Sequence, residues 1–432
     1  MPVGVIESLD HEARGIARQN GKTVFVDGAL PGETVEYASF RRKPSYELAH
    51  LVKILKPSNA RVEPLCPHFG VCGGCVMQHM EPAAQVAAKQ RVLEDSLWRI
   101  GRVRPESMLP PIHGAPWGYR HRARLGVRKI DAEKGVMIGF HEWRSSYIAD
   151  IKQCPVLRPD VSRLLLPLRE LFASLSVADR LQQLEISVGE HCVALLLRIL
   201  VPLTADDQRL LREFADPHQV VFYLQPKGPD SITRFYPTSG PRLSYTLPEF
   251  DLEFDFLPTD FTQVNHAVNQ VMVRRALRLL DPQPGERIAD MFCGLGNFTL
   301  PIARSGAHVL GVEGSQGLVK RGRESARVNG LADRVEFGVA NLFECTEKTI
   351  RAFGAFDKML IDPPREGAIE LVRSLGECKP ARIVYVSCHP GTLARDAAVL
   401  VNTHGYRFVT AGAVNMFPHT AHVESIAVFE QP

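Results

Sequence analysis

Five short apolar runs separated by stretches of helical length constrain the fold of this chain more than anything else in it. They are Arg287–Met291, His308–Val312, Val335–Val339, Lys358–Ile361 and Ile383–Val386, each four or five residues long. Short runs rich in aliphatic residues read as buried strands. Alternation of such strands with helices predicts a doubly wound parallel sheet covered on both faces. Ligands of such sheets bind outside the carboxyl ends of the strands. The residues that follow each run are therefore the ones to read for chemistry.

The first run leads into Asp290-Met291-Phe292-Cys293-Gly294-Leu295-Gly296-Asn297-Phe298-Thr299. Gly294 and Gly296 allow a ligand close to the backbone, but Thr299 stands where a dinucleotide-binding turn has its third glycine. That departure disfavours NAD and FAD and leaves room for a nucleoside without a pyrophosphate. Glu313, 23 residues beyond Asp290, ends the second run, where an acid can accept hydrogen bonds from ribose hydroxyls. Asn341 follows the third run, at the usual place of an adenine contact. Together these features indicate S-adenosylmethionine.

The fourth run ends in Asp362-Pro363-Pro364-Arg365. Methyltransferases that act on an exocyclic amine of a base carry an aromatic after the two prolines; Arg365 holds that place here. The fifth run ends in Ser387-Cys388-His389-Pro390. Carbon 5 of a pyrimidine is barely nucleophilic until a thiolate adds to carbon 6, and a base must later remove the carbon-5 proton. Cys388 is the candidate thiol and Glu424, in His422-Val423-Glu424, the candidate base. The plainer alternatives are a small buried cysteine and a strand-edge glutamate.

Upstream, Val3–Ile6, Gly15–Ala17, Thr23–Val26 and Thr34–Tyr37 read as short strands with turns at Asn20-Gly21 and Pro31-Gly32, the pattern of a small OB-like barrel. Arg41-Arg42-Lys43 beside Tyr46 is a candidate basic contact for RNA or a solvated loop. Cys66, Cys72 and Cys75, spaced Cys-x5-Cys-x2-Cys, together with Cys154, suit either a tetrahedral Zn or an iron–sulfur cubane. Val86, Val92, Leu93, Leu97 and Ile100 predict an amphipathic helix. Trp117–Lys129 holds five Lys/Arg and no acid. Its alternation puts Arg120, Arg122 and Arg124 on one strand face, a candidate phosphate-tracking surface. Val161–Leu175 reads as helix, Leu184–Val188 with Val193–Ile199 as a hairpin, and Cys192 as core. No apolar run is long enough to span a membrane. No export signal begins the chain, and nine cysteines then fit a reduced, cytoplasmic setting. The net charge of +3 permits an RNA partner without demanding one.

His11–Ala17, Val24–Val26 and Leu30–Glu33 resemble a TRAM domain, an RNA-binding β-barrel. The four cysteines, Phe261–Asn265, the glycine turn, Asp362–Arg365, Val386–Cys388 and His422–Glu424 occur in the order found in RNA uracil-C5 methyltransferases, and the chain is similar to that family over nearly its whole length. The resemblance implies Cys388 as nucleophile and Glu424 as base. It implies Gln263, Phe292, Asn297, Glu313, Asn341 and Asp362 as cofactor contacts, with Asp362 also near the target base, and Phe261 stacked on the uracil. It further implies a [4Fe–4S] cluster on the four cysteines, and 23S ribosomal RNA as substrate of a monomeric enzyme. His389 departs from the usual Asn. The expected architecture is a TRAM barrel over 1–60, a central α+β iron–sulfur domain over 61–260 and a Rossmann-like methyltransferase domain over 261–432, with the helix near 84–118 packed on the last. The rival readings are the same chemistry on tRNA or on two rRNA sites, and a non-catalytic, metal-containing RNA-binding protein.

Overall fold

The computed structural model describes residues 1–130, 135–228 and 231–432. The first part is a six-stranded sheet: Val3–Val5, Ser8–Leu9, Gly15–Gln19, Lys22–Asp27, Thr34–Arg42 and Tyr46–Lys56. In space the order is first, fifth, sixth, fourth, third, second. Register shifts along the Thr34–Arg42/Tyr46–Lys56 pair bend the sheet around a small core that includes Ile6, Val24, Val26, Val35 and Tyr37. The strand Tyr46–Lys56 has no counterpart in the sequence expectation. Only Ala49 is fully buried and exposure along it does not alternate, so it lacks the period-two apolar signal of a half-buried strand.

The central part is a second six-stranded sheet, ordered Thr233–Tyr236, Val220–Gln225, Val193–Arg198, Gln183–Val188, Arg122–Lys129, Val136–Gly139. Helices Pro159–Arg163, Leu165–Ser174 and Ala205–His218 accompany it. Leu165, Leu168 and Phe172 bury against Leu125, Ile138, Leu184 and Leu195. Cys192 is half-exposed at the hairpin end rather than fully in the core.

The third part is an eight-stranded sheet in the order Val335–Val339, His308–Glu313, Arg287–Met291, Lys358–Ile361, Arg382–Ser387, Glu424–Glu430, Arg407–Val414, Ser107–Met108. The first five strands pair in parallel. Glu424–Glu430 runs antiparallel to both of its neighbours, so the sheet is mixed rather than wholly parallel. Its core also takes Leu243, Tyr245, Leu247, Leu252 and Phe254 from the hairpin ahead of helix His266–Leu280. That core therefore begins upstream of residue 261.

The unit is discontinuous as well. Ser107–Met108 forms its edge strand, and helix Pro82–Ser96 with the wide turn Leu97–Gly101 lies against helix Pro390–Asn402. Leu93 and Leu97 share a core with Tyr385, Leu393 and Ala394. The contact is tight at Gly101, where a Cβ would stand 2.4 Å from Ala394 O.

Candidate active site

The sheet order reverses between Arg287–Met291 and Lys358–Ile361. A crevice at the carboxyl ends of such a pair is the ligand position of open α/β sheets. The turn after Met291 is built for it. Phe292 takes φ +63°, rare for a residue with a Cβ, and Gly294 and Gly296 take +57° and +92°. Glu313, on the neighbouring strand, accepts from Gly294 N at 3.2 Å and from Ser315 N at 3.0 Å. Two backbone donors thus fix its carboxylate and leave lone pairs for a ligand. Asn341 accepts from Phe343 N at 3.1 Å, and the Phe343 ring lies 5.5 Å from that of Phe292. This aromatic pair was not singled out from the sequence, because Phe343 stands in a short irregular turn without periodicity.

Asn297 is already engaged. Its Oδ1 accepts from Asn269 Nδ2 at 2.9 Å and from Tyr245 Oη at 3.2 Å, and its Nδ2 donates to Asn269 Oδ1 at 3.0 Å. One N–H is left for a ligand. Gln263 and Phe261 lie on the segment that enters helix His266–Leu280; Gln263 is half-buried and Phe261 is 67% exposed. Asn265 caps that helix, accepting from Val268 N at 3.2 Å, and donates to Met416 O at 3.3 Å.

Cys388, Glu424 and Asp362 meet because of strand order. Ser387 pairs with Ser425 in the antiparallel ladder, which sets Glu424 across from Cys388. Asp362 ends the strand on the other side, where Ile361 pairs with Tyr385. Burial dominates the electrostatics of the trio. It raises the Cys388 thiol to about 11, helped by Glu424 and Asp362 and opposed by Arg365. It raises Glu424 to about 8, with Asp362 adding and Lys89 opposing, and Asp362 to about 7. Glu424 is 5% exposed, and its Oε2 has no hydrogen-bond partner among the described residues. A buried carboxyl with a free oxygen and a pKa near neutrality has the character of a proton acceptor. Next to Cys388, His389 caps helix Pro390–Asn402 by accepting from Thr392 N at 3.2 Å through Nδ1. An imidazole there does the work an Asn amide would do.

A cleft of about 640 Å³ opens onto Cys388. His11 and Glu12 of the first sheet line it, with Gly73 and Gly74 of the cysteine loop, Arg120 and Trp143 of the central part, and Arg365 and His422 of the third. The basic row of the sequence reading does not survive as one face. The strand starts at Arg122, so Arg120 lies before it, donating to Arg122 O at 2.8 Å with its guanidinium 5.2 Å from the Phe140 ring. Arg122 turns inward and donates to Pro258 O at 2.7 Å and to Asp260 O. Arg124 is exposed but pairs with Glu185 at 3.1 Å. Of the three, Arg120 alone lines the cleft. In the first sheet, Arg41 and Arg42 end a strand, with Arg42 3.7 Å from Glu47.

Cys66, Cys72, Cys75 and Cys154 line one small cavity together with Gln78, Arg120 and Phe140. Burial pushes Cys75 up to about 12 and Cys154 to about 11, and the neighbouring cysteines add to both. Burial raises Cys66 and Cys72 as well, and four thiols gathered in one cavity form a site that a cation would relieve. Among the described residues, no three Cys, His, Asp or Glu side chains are disposed to hold a single metal ion.

Lys89 carries no functional signal of its own in the sequence. The helix buries Gln85, Lys89, Leu93 and Leu97, one residue per turn, whereas Ile100 is exposed. The usable signal was a polar pair extending the i, i+4 line of the two leucines.

Residues 245–431 match the family model described as tRNA (Uracil-5-)-methyltransferase, and residues 5–36 match the TRAM domain. The chain is 78% identical over 432 residues to the 23S rRNA (uracil(1939)-C(5))-methyltransferase RlmD of Dechloromonas aromatica (strain RCB), covering 100% of both. It is 61% identical to the protein of the same name from Azoarcus sp. (strain BH72), again over 100% of both chains. Among solved structures it is similar to Pyrococcus abyssi tRNA (uracil-54, C5)-methyltransferase in complex with S-adenosyl-L-homocysteine. The TM-score is 0.75 at 27% identity, over 99% of this chain and 100% of that one.

Proposed function

The chain belongs to the RNA uracil-C5 methyltransferase family, and we propose that it methylates carbon 5 of one uridine of 23S rRNA with Cys388 as nucleophile and Glu424 as base. It is an S-adenosylmethionine-dependent enzyme of 23S rRNA. The relatives named for uracil 1939 point to that position as the target. The observation that carries the assignment of roles is the convergence of Cys388, Glu424 and Asp362 at the ends of three strands, beside the glycine turn.

A target inside folded RNA must leave its stack to reach this depth. Phe261, 67% exposed, would offer a face for the displaced base. Cys388 Sγ adds to carbon 6, forming the S–C6 bond and moving electron density onto carbon 5 and oxygen 4. Its thiol proton must leave as that bond forms, since burial keeps the group protonated at neutral pH. Asp362 is the adjacent carboxylate able to take the proton, and the charge of Arg365 favours the thiolate. S-adenosylmethionine, when bound, supplies an electrophilic methyl group that passes to carbon 5 and leaves S-adenosylhomocysteine. Glu424 then removes the carbon-5 proton. The freed pair re-forms the C5–C6 double bond as the S–C6 bond breaks, and Cys388 is regenerated. Glu313 and Asn341 would hold the ribose and adenine of the cofactor, Phe292 and Phe343 would flank the adenine, and Gln263, Asn297 and Asp362 complete the cofactor contacts.

Cys66, Cys72, Cys75 and Cys154, gathered in one cavity, would hold a [4Fe–4S] cluster. Iron and sulfide analysis with a visible spectrum tests this; one Zn per chain and a colourless protein would refute it.

The reaction is tested with labelled S-adenosylmethionine and unmodified 23S rRNA or tRNA, followed by site mapping. Label in 5-methyluridine at one 23S position supports the full reading. Label in tRNA or at two rRNA sites would overturn the substrate, and no label in any RNA would overturn the activity.

A further inference from the structure

A charge that the proposed chemistry leaves unused is buried beneath the active site. Lys89 is 3% exposed. Its Nζ donates to Asn415 Oδ1 at 2.7 Å and to Phe417 O at 2.8 Å. Both acceptors are neutral, and a buried ammonium without an anion is costly. Burial accordingly lowers Lys89 to about 7, and Glu424 opposes that shift, just as Lys89 opposes the raising of Glu424 by burial and Asp362.

Asn415 and Phe417 belong to the loop that joins Arg407–Val414 to Glu424–Glu430. That loop is tied down from three directions. Gln85, one helical turn before Lys89, accepts from His419 N at 2.8 Å and contacts His419 Nδ1 at 3.1 Å. Val76 N and Met77 N of the cysteine loop donate to His419 O at 2.8 and 3.0 Å. Tyr119 Oη donates to Pro418 O at 2.9 Å, and Trp117 stacks 3.9 Å from His419. Lys89 differs from the other ties in carrying a charge that acts on Glu424.

We propose that Lys89 is a positioning residue for proton removal: it holds the Asn415–Phe417 segment and sets a positive charge against which the Glu424 carboxylate forms. This rests on Glu424 being the base. The other ionisable groups acting here are Asp362 on Glu424, Cys388 between those two acids, and His419 and His422, which both sense Lys89. The Arg365 guanidinium acts on Cys388 and His422. Removing Lys89 leaves Glu424 with Asp362 and Cys388 alone, so its proton is held more tightly.

Two substitutions separate the roles. Lys89→Gln keeps a donor for the loop and drops the charge; Asn415→Ala keeps the charge and drops one tie. The holoenzyme is followed through a single turnover on unmodified 23S rRNA, reading formation and decay of the methylated protein–RNA adduct against pH. In Lys89→Gln the adduct should form at close to the native rate but decay roughly tenfold more slowly at neutral pH, with the rising limb of decay moved up by about one pH unit. Lys89→Arg should restore most of the rate and return the limb. Asn415→Ala should slow decay with the limb unmoved. Native decay and a native pH limb in whichever of Lys89→Gln and Asn415→Ala folds would overturn the proposal. Failure of the underlying reading looks different: Glu424→Gln would itself release product normally, and the proposal would fall with it.

Discussion

Glu424 is costly to keep where it is. Its folded-state pKa is raised from 4.5 to about 8, so the native protein binds a proton there more tightly than the unfolded chain does. The stability linked to that proton is fully present below about pH 4.5 and is lost as pH rises toward 8. Glu424→Gln should therefore melt higher than the native protein at pH 8, by roughly 1–3 kcal/mol, and close to it at pH 5. A gap that is equal at the two pH values, read by thermal unfolding, would refute the assignment of an ionising buried acid. The same variant should accumulate methylated adduct, whereas Cys388→Ala should form no covalent complex with 5-fluorouridine RNA on a denaturing gel. Sequence chemistry nominates both residues but fits a small buried cysteine and a strand-edge glutamate as well; the resemblance to the family is what assigns them their roles. Lys89 is not nominated, since a lysine within a helical pattern reads as solvent-facing until the partner surface is known.

The elements divide by whether their signal is local. The parallel strands match their sequence runs closely: the inner ones, Arg287–Met291, Lys358–Ile361 and Arg382–Ser387, are mostly buried on both faces and read as largely apolar runs, whereas the edge strand Val335–Val339 buries only Phe337. Tyr46–Lys56 and the edge strand Ser107–Met108 carry no such signal; their neighbours in the sheets define them. The basic stretch shows the same limit. Period-two alternation assumed a strand from Trp117 onward, but the strand starts at Arg122, and the three arginines separate into cleft, interior and ion pair. Arg120→Ala should weaken RNA binding and reduce the slope of log affinity against log salt by about 0.7. Arg124→Ala should change both less, and Arg122→Ala should lower the melting temperature instead. An equal salt effect for all three would restore the single basic face. Where helix Pro82–Ser96 and its wide turn meet Pro390–Asn402, Gly101→Ala should cost about 1–3 kcal/mol, because the added methyl meets a backbone carbonyl that cannot turn away. An unchanged melting temperature would show that the contact is loose.

Across the whole molecule, residues from the parts built on all three larger sheets share one cleft. The first sheet supplies His11 and Glu12, the cysteine loop Gly73 and Gly74, and the third part the reactive trio. The cysteine loop also holds the segment that leads into Glu424, through the hydrogen bonds of Val76 N and Met77 N to His419 O. Cys75→Ser, immediately before Val76, should slow adduct decay more than it weakens S-adenosylmethionine binding measured by calorimetry. Equal losses in both would point to general unfolding rather than to the loop. No helix among the described residues is long and apolar enough to cross a membrane.

The order of strand-forming runs, the glycine turn with its missing third glycine, the acid at Glu313 and the thiol at Cys388 follow from local chemistry, and the sequence alone was enough to read them. Burial periodicity and turn residues act over a few positions and leave their mark in the chain. Three things depended on the tertiary structure: the antiparallel insertion of Glu424–Glu430 that sets Glu424 opposite Cys388, the return of Ser107–Met108 to a sheet built mainly from the C-terminal half, and the buried charge of Lys89 under the catalytic loop. Each is a contact between segments remote in sequence. Such contacts are chosen by the summed burial of surfaces that meet only once the chain has folded.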